Sequence, residues 1–253
     1  MPRSRRLVTA AALLLAVVVG GYVAYDQVLS GDSVAPLTLP SSSPAAAGTA
    51  GTETPSSTDG GASGAPASSL DGSIAGTWMA TGGSQAGYRV RERLASLSAE
   101  SDAVGRTSDV TGSITLESDG TTTTLTTGTL TVDTTTIASD EARRDNRLRT
   151  EGLQTDTYPT ATFAITQPVE IPVPAIAGTA SDLTLVGDLT LHGVTKSVSV
   201  PAQARLVDGT IQVAGTISFP LAEYKITAPN VGGFILSIAD SGALEFQVNF
   251  TKN

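Results

Sequence analysis

Apolar and polar residues alternate with a period of two along much of the second half of this chain. The pattern is clearest in residues 181–192, 198–206, 211–219 and 244–250, where leucine, valine, isoleucine and phenylalanine take every second position. Successive side chains of a strand point to opposite faces, so each segment predicts a strand with one buried and one solvated face. Strands of this kind joined in series are typical of an antiparallel sandwich or barrel in water.

Weaker alternation predicts further strands upstream, near residues 77–80, 85–90, 112–117, 122–132 and 160–166. Turn signals such as Asp208-Gly209 separate most of these strands. The polar, charged segment Asp140–Leu153 breaks the alternation and predicts a short helical excursion between two strands, and residues 91–100 predict a second helical turn. We therefore predict an all-β domain over residues 71–253, with about eight or nine strands that form an antiparallel barrel or sandwich.

The N-terminus predicts a membrane segment. Arg3, Arg5 and Arg6 precede an uncharged apolar run from Leu7 to Tyr25, and Asp26 follows it. Nineteen helical residues at about 1.5 Å each span roughly 28 Å, close to the ~30 Å hydrocarbon thickness, and flanking arginines orient the N-terminus to the cytoplasm. Residues 1–29 are predicted to be a single-pass signal anchor in the cell membrane, which leaves the domain extracytoplasmic. A cleaved signal peptide and a secreted protein are the alternative.

Between the two lies a segment of low complexity. Ser, Pro, Ala, Gly and Thr fill 34 of the 40 positions from residue 30 to residue 69, and none of those positions is aromatic. Such a composition cannot bury enough apolar area to offset the entropy lost on ordering. Residues 30–70 are therefore predicted to be a disordered linker.

Charge and composition exclude several classes of function. Beyond residue 25 the chain carries 12 basic and 24 acidic residues, so nucleic-acid binding is not expected. The absence of cysteine excludes disulfides and thiolate metal sites. His192 is the single histidine, and no nucleophile motif or second metal ligand accompanies it. We predict no catalytic residue, no metal site and no cofactor, and we interpret His192-Gly193 as a hairpin turn.

Two motifs in the domain are similar to those of a known family. RRDNRLRTEGLQTDTYPTATF at Arg143–Phe163 holds an Arg-Asp-x-x-Leu segment ahead of Tyr-Pro, and LTLVGDLTLHGVTKSVSVPA at Leu183–Ala202 holds Gly-x-Leu-Thr-Leu-His-Gly-Val-Thr-Lys. In order and spacing the two motifs resemble the YceI-like family over residues 73–252. The resemblance implies an antiparallel, eight-stranded lipocalin-like barrel with an internal apolar cavity. It also implies that the domain is exported and binds a polyisoprenoid or an isoprenoid quinone.

The alternate positions of each strand that hold the apolar residues, here called its inward parity, supply the candidates for lining the barrel lumen. They are Trp78, Tyr88, Ile114, Leu116, Phe163, Ile165, Leu185, Leu189, Val213, Ile217, Phe246 and Val248. Arg143, Arg144 and Arg147 form a basic cluster in an acidic domain and are candidates for receiving an anionic headgroup. A structural alternative pairs Arg144 with Asp145 and thereby pins the helix to the barrel.

Three hypotheses for function follow from these residues. The first is extracytoplasmic, membrane-tethered binding of a long-chain amphiphilic lipid in the barrel lumen. The second is a non-catalytic structural or interaction module whose barrel is filled by side chains. The third, an enzyme acting on a lipid or an oxidised quinone, lacks a visible constellation of acid, base and nucleophile. The sequence leaves the oligomeric state, including a homodimer, open.

Overall fold

A computed structural model describes residues 34–40, 74–94, 100–228 and 235–252. The predicted signal anchor lies outside these residues, as does most of the predicted linker. Within the described ranges, no helix has both the length and the apolar character needed to cross a membrane.

The fold is built from strands joined by short turns and two short helices. The strands are β1 (Gly76–Ala80), β2 (Gln85–Leu94), β3 (Glu100–Thr107), β4 (Val110–Ser118), β5 (Thr123–Asp133), β6 (Ala138–Ser139), β7 (Thr160–Ile165), β8 (Val169–Glu170), β9 (Ser181–Leu191), β10 (Val194–Val207), β11 (Thr210–Pro220) and β12 (Ile235–Lys252). The helices are α1 (Ala142–Arg147), which continues into a π-helical turn over Leu148–Gly152, and α2 (Val173–Ile176).

Strand pairing closes the sheet on itself. Both β1 and β2 pair antiparallel with β12, so the two run in the same direction. Together they take the place of one strand that is interrupted between them. In the same way β3 pairs with β2 and β4 pairs with β1. With each of these pairs counted once, the order β1/β2, β3/β4, β5, β7, β9, β10, β11, β12 closes an antiparallel barrel of eight strands. The predicted all-β, eight-stranded antiparallel barrel is confirmed.

The alternating residues set the inside and the outside of this barrel. Leu185, Leu189 and Leu191 on β9 and Val248 on β12 are buried, whereas the intervening polar residues face outward. The two tightest hairpins are the predicted ones. His192-Gly193 joins β9 to β10 with φ of 50° and 70°, and Asp208-Gly209 joins β10 to β11 with φ of 49° and 71°. Positive φ at both central residues matches the twist of the flanking strands.

The predicted helical turn at residues 91–100 is not found in the described part of that segment, and residues 95–99 lie outside the described residues. Residues 91–94 continue β2, and Glu100 begins β3, a strand that the sequence pattern did not predict. Alternation does persist here, because Tyr88, Val90 and Glu92 keep the inward parity of β2. A charged residue at an inward position hides that pattern from a search for apolar alternation. In β3 the inward side chains are small, since they include Ala103 and Gly105.

The predicted helical excursion between two strands is confirmed as α1 and its π-helical turn. The carboxylate of Glu141 accepts from the backbone N–H of Arg143 and caps the helix. Buried Asp145 accepts from the backbone N–H of Ser139 at 3.0 Å and from its hydroxyl at 2.6 Å, which ties the helix to β6. Leu148 and Leu153 pack against a cluster of inward side chains that includes Tyr88.

A short part of the predicted linker contacts the barrel. Residues 34–40 lie on the outside of the wall, where the backbone N–H of Leu37 donates to Glu245 at 3.3 Å. The composition of residues 30–70 gave no indication of this contact, because it depends on the barrel's own charged groups. We refer to residues 34–40 as the docked segment.

Candidate functional site: an apolar cavity with one polar end

The barrel encloses a cavity of about 580 Å³. Its wall is overwhelmingly apolar and is formed by inward side chains from around the barrel, such as Leu125 on β5, Leu185 on β9 and Phe246 on β12. Leu148 and Leu153 from the helical excursion also line it, as do Ile226 and Ala228 from the segment after β11. A volume of this size falls in the range of small-molecule sites in proteins.

Eleven of the twelve lumen candidates line this cavity. They are Tyr88, Ile114, Leu116, Phe163, Ile165, Leu185, Leu189, Val213, Ile217, Phe246 and Val248. Trp78 is buried in the same core but does not line the cavity. Its indole N–H donates to the backbone carbonyl of Ile74 at 2.9 Å, which holds the ring in the core beside the lumen.

One end of the cavity is polar. Glu92 faces inward from β2 with only 3% of its surface exposed. Its carboxylate accepts from Arg144 of α1, with 2.8 Å between Nη2 and Oε1. The other terminal nitrogen of Arg144, Nη1, donates to Asp140. The guanidinium is therefore already matched by two carboxylates before any ligand is considered.

Tyr88 presents a hydroxyl at the same end. The residue is 8% exposed, and its buried Oη has no hydrogen-bond partner within the described part of the chain. Burial raises the pKa of Tyr88 to about 12; the charge of Arg144 acts the other way, whereas Asp145 and Glu92 add to the increase. The group thus remains a neutral phenol at physiological pH and can donate a hydrogen bond into the lumen.

The three headgroup candidates all line the cavity but differ in their partners. Arg143 is exposed, Arg144 is held by Glu92 and Asp140, and Arg147 donates to Glu151 at 3.0 Å. The predicted pair of Arg144 with Asp145 is not formed, because Asp145 serves Ser139 instead. Arg144 instead forms a salt bridge with Glu92 of β2, and this salt bridge connects the helix to the end of the barrel.

Comparison with known proteins places this barrel in a family. The model of the YceI-like domain matches residues 80–250, about two thirds of the chain. The chain belongs to the YceI-like domain family. Residues around His192 and the Tyr158–Phe163 stretch, which carried the resemblance in sequence, lie within the matched range.

Solved structures with the same YceI-like fold are distant in sequence. A polyisoprenoid binding domain from Saccharophagus degradans superposes with a TM-score of 0.54 at 18% identity, over 71% of this chain and 99% of that one. BcnA from Burkholderia cenocepacia superposes with a TM-score of 0.50 at 15% identity, over 66% of this chain and 95% of that one. At these identities the likeness shows the fold. No curated protein matches the sequence.

His192 has a structural position in this YceI-like barrel. It is buried in the β9–β10 turn, its Nδ1 lies 3.0 Å from the carbonyl oxygen of Tyr224, and its ring centroid lies 4.4 Å from that of Tyr158. Across the described ranges, no group of three or more His, Cys, Asp or Glu side chains could hold a metal ion. Glu92 is the site residue that sequence reasoning missed, and its inward parity with Tyr88 was the signal that could have found it.

Proposed function

We propose that this YceI-like barrel binds a long-chain isoprenoid lipid in its lumen. The observation that carries the proposal is the apolar cavity of about 580 Å³, which a barrel filled by side chains would not have. Native interiors are close-packed and leave few voids larger than a water molecule. A large apolar void therefore favours a bound ligand. It also argues against the alternative hypothesis of a barrel filled by side chains.

Burial of the chain supplies the affinity. Each methylene moved from water to an apolar wall contributes about 0.8 kcal/mol, so ten buried carbons contribute roughly 8 kcal/mol before the costs of association. The structural relative from Saccharophagus degradans is described as a polyisoprenoid binding domain, which supports a branched, unsaturated hydrocarbon as the cargo. No step of this function requires a catalytic residue.

The polar end of the cavity favours a neutral head over an anionic one. Among the charged groups that act on the Tyr88 hydroxyl, one is positive, Arg144, and three are negative, Glu92, Asp140 and Asp145. The other two arginines that line the cavity also have acidic neighbours, since Arg147 donates to Glu151 and Glu141 accepts from the backbone N–H of Arg143. A pyrophosphate would add further negative charge there and would have to displace an existing partner of Arg144. A quinone carbonyl needs only a donor, and Tyr88 offers one. The lipid we propose is therefore an isoprenoid quinone.

The test compares three ligands of equal chain length on the purified full chain: an isoprenoid quinone, a polyprenyl pyrophosphate and a headless polyprene. We expect the quinone to bind tightest and the pyrophosphate weakest. Tyr88→Phe should weaken quinone binding by up to about tenfold, the worth of one hydrogen bond, and should leave the headless polyprene unchanged. Trp78→Phe, a buried aromatic outside the cavity lining, is the matched control and should leave both affinities unchanged.

The outcomes separate the parts of the proposal. If none of the three ligands binds, lipid binding in the lumen is refuted. If the pyrophosphate binds tightest, the lumen still takes the hydrocarbon, but the neutral head is wrong and the predicted arginine cluster Arg143, Arg144 and Arg147 regains its role.

The tethering of this function to a membrane also belongs to the proposal. The apolar run in residues 1–29, with arginines ahead of it, supports a signal anchor that holds the domain on the extracytoplasmic side, near a source of lipid. Alkaline extraction of membranes from expressing cells tests it. The full-length chain should stay with the membrane, whereas recovery of a shortened, soluble chain would favour the cleaved signal peptide instead.

A further inference from the structure

The docked segment is held on the barrel wall by its backbone. Arg89 of β2 donates to the carbonyl of Val34 at 2.7 Å, and Arg106 of β3 donates to the carbonyl of Ala35. Arg205 of β10 donates to the carbonyl of Pro40 at the other end of the segment. The seven residues thus cross the wall from β3 to β10. Three guanidinium groups bind backbone carbonyls of the segment, two at its first end and one at its last.

Beneath the segment lies a cluster of charges that would otherwise face water. Glu245 stands on the outward parity of β12, yet it is only 4% exposed. Arg89 donates to it through Nε at 2.6 Å, Arg106 lies 3.4 Å from it, and the backbone N–H of Leu37 completes its shell. Ala214 on the outward face of β11 is also buried. It lines a shallow groove on the wall together with Leu37 and Thr38 of the docked segment.

The segment is suited to this groove by its own chemistry. Pro36 and Pro40 fix φ and favour an extended backbone, so less conformational entropy is lost on docking. Leu37 and Leu39 are half-buried while the residues between and around them are exposed, which is the alternation of an extended chain on a surface. The arginines donate hydrogen bonds to backbone carbonyl groups, which every extended peptide presents.

We propose that the outer wall formed by β2, β3, β10, β11 and β12 is a binding site for an extended peptide, and that residues 34–40 of the same molecule occupy it. The groups that hold the segment lie at outward positions of their strands, although Arg205 and Glu245 also border the cavity. Docking attaches the N-terminal part of the chain to the wall of the barrel and not only to the start of β1.

Chain length favours binding within one molecule. Thirty-three residues connect Pro40 to Ile74, and their composition predicts a flexible connection, which at that length would have an r.m.s. span of roughly 30 Å. Such a connection gives the segment an effective concentration in the millimolar range at its own groove. A second copy at micromolar concentration competes poorly against that value.

Docking also changes the reach of the tether, a consequence that rests on the proposed membrane anchor. A free linker of 40 residues would span roughly 35 Å. With residues 34–40 fixed to the wall, four residues, 30–33, separate the predicted anchor from the docking site, and they extend to at most about 14 Å. The barrel would then be held close to the membrane in a restricted set of orientations.

Cysteine pairs in the full chain test the proposal, because the sequence has no cysteine of its own. Thr38→Cys is combined either with Thr184→Cys, in the groove, or with Thr121→Cys, an exposed position in the β4–β5 turn. With a short thiol–thiol cross-linker, the groove pair should link within the monomer at least tenfold faster than the turn pair. Arg205→Ala should reduce that preference by about tenfold, the effect of losing one hydrogen bond to a charged donor.

Equal rates for the two pairs would overturn the docking. A second experiment mixes two single variants, one with Thr38→Cys and one with Thr184→Cys. Cross-linked dimers in that mixture would overturn binding within one molecule and assign the groove to a second copy, whereas their absence supports it. Neither experiment reads lipid binding, so a failure here leaves the proposed lumen function standing.

Discussion

At the scale of single residues, the ion pair between Glu92 and Arg144 joins a strand to a helix 52 positions away in sequence. Removal of one member of a buried pair leaves the other charge without compensation, which costs roughly 3–5 kcal/mol. Glu92→Ala should lower the free energy of unfolding by about 3 kcal/mol, the lower end of that range, because Arg144 keeps Asp140. Urea denaturation measures the change.

The control for this substitution is an exposed pair of the same kind. Glu223 lies 2.9 Å from Lys196, and both side chains are well exposed. Glu223→Ala should therefore cost less than about 1 kcal/mol. Similar losses for the two variants would show that Glu92 contributes no more than a surface charge.

Two glycines at equivalent turn positions differ in what surrounds them. Gly193 and Gly209 both have φ near +70°, so alanine costs about 1–2 kcal/mol of backbone strain at either position. A Cβ on Gly193 would lie 2.6 Å from the Tyr158 ring, which packs on His192, whereas nothing lies within 4 Å of a Cβ on Gly209.

Gly193→Ala should consequently be less stable than Gly209→Ala by a further 1–3 kcal/mol or so, the usual cost of overpacking. Thermal or urea unfolding of the two variants side by side gives the difference directly. If the two variants lose the same stability, the contact between the turn and Tyr158 is not a constraint on the fold.

At the scale of elements, the docked segment makes stability depend on pH. Burial alone would raise the pKa of Glu245, but hydrogen bonds from Arg89 and the Leu37 N–H and the charges of Arg89 and Arg106 lower it below its ordinary value. A carboxylate with a lowered pKa stabilises the fold above its unfolded-state pKa of about 4.3, and that stabilisation is lost as the pH falls through the lower folded-state pKa.

Glu245→Gln isolates this contribution from the other carboxylates. At pH 6 the wild type should be more stable than the variant by about 1.5–3 kcal/mol, the worth of hydrogen bonds to a charged group. The difference between the two proteins should shrink as the pH falls below about 4.3 and on through the lower folded-state pKa of Glu245, because the native carboxylate is protonated over that range. A difference that stays constant across this range would contradict the assignment.

How far the sequence predicts these elements depends on what covers each face. Strands β9, β11 and β12 show clean alternation, because their inner faces meet the apolar lumen and most of their outer faces meet water. In β2 the inward Glu92 is compensated by a distant arginine, and no local pattern can indicate such a partner. The docking of residues 34–40 was unpredictable for the same reason, since its partners lie on four strands far along the chain.

At the scale of the whole molecule, parity predicted which residues face inward but not how much space they leave. An eight-stranded barrel is just wide enough either to be filled by side chains or to hold one ligand. The small inward side chains, such as Ala103, Ala161 and Ala204, decide between these outcomes. Their summed effect depends on strand tilt and register, which the sequence pattern does not specify.

A cavity-filling substitution tests the hollow barrel directly. Val213 lines the cavity, so Val213→Phe can place its ring in the void without displacing neighbours. We expect the free energy of unfolding to stay within about 1 kcal/mol of the wild-type value or to rise, because the added ring buries apolar area in existing space. Uptake of a long-chain isoprenoid, measured on the same protein, should fall.

The same substitution at Val110 is the matched control. Val110 is buried in the barrel core but does not line the cavity, so a phenylalanine there must push its neighbours apart. That overpacking should cost about 1–3 kcal/mol. If Val213→Phe loses as much stability as Val110→Phe, the lumen is as tightly packed as the rest of the core, and the space that we assign to a lipid does not exist in solution.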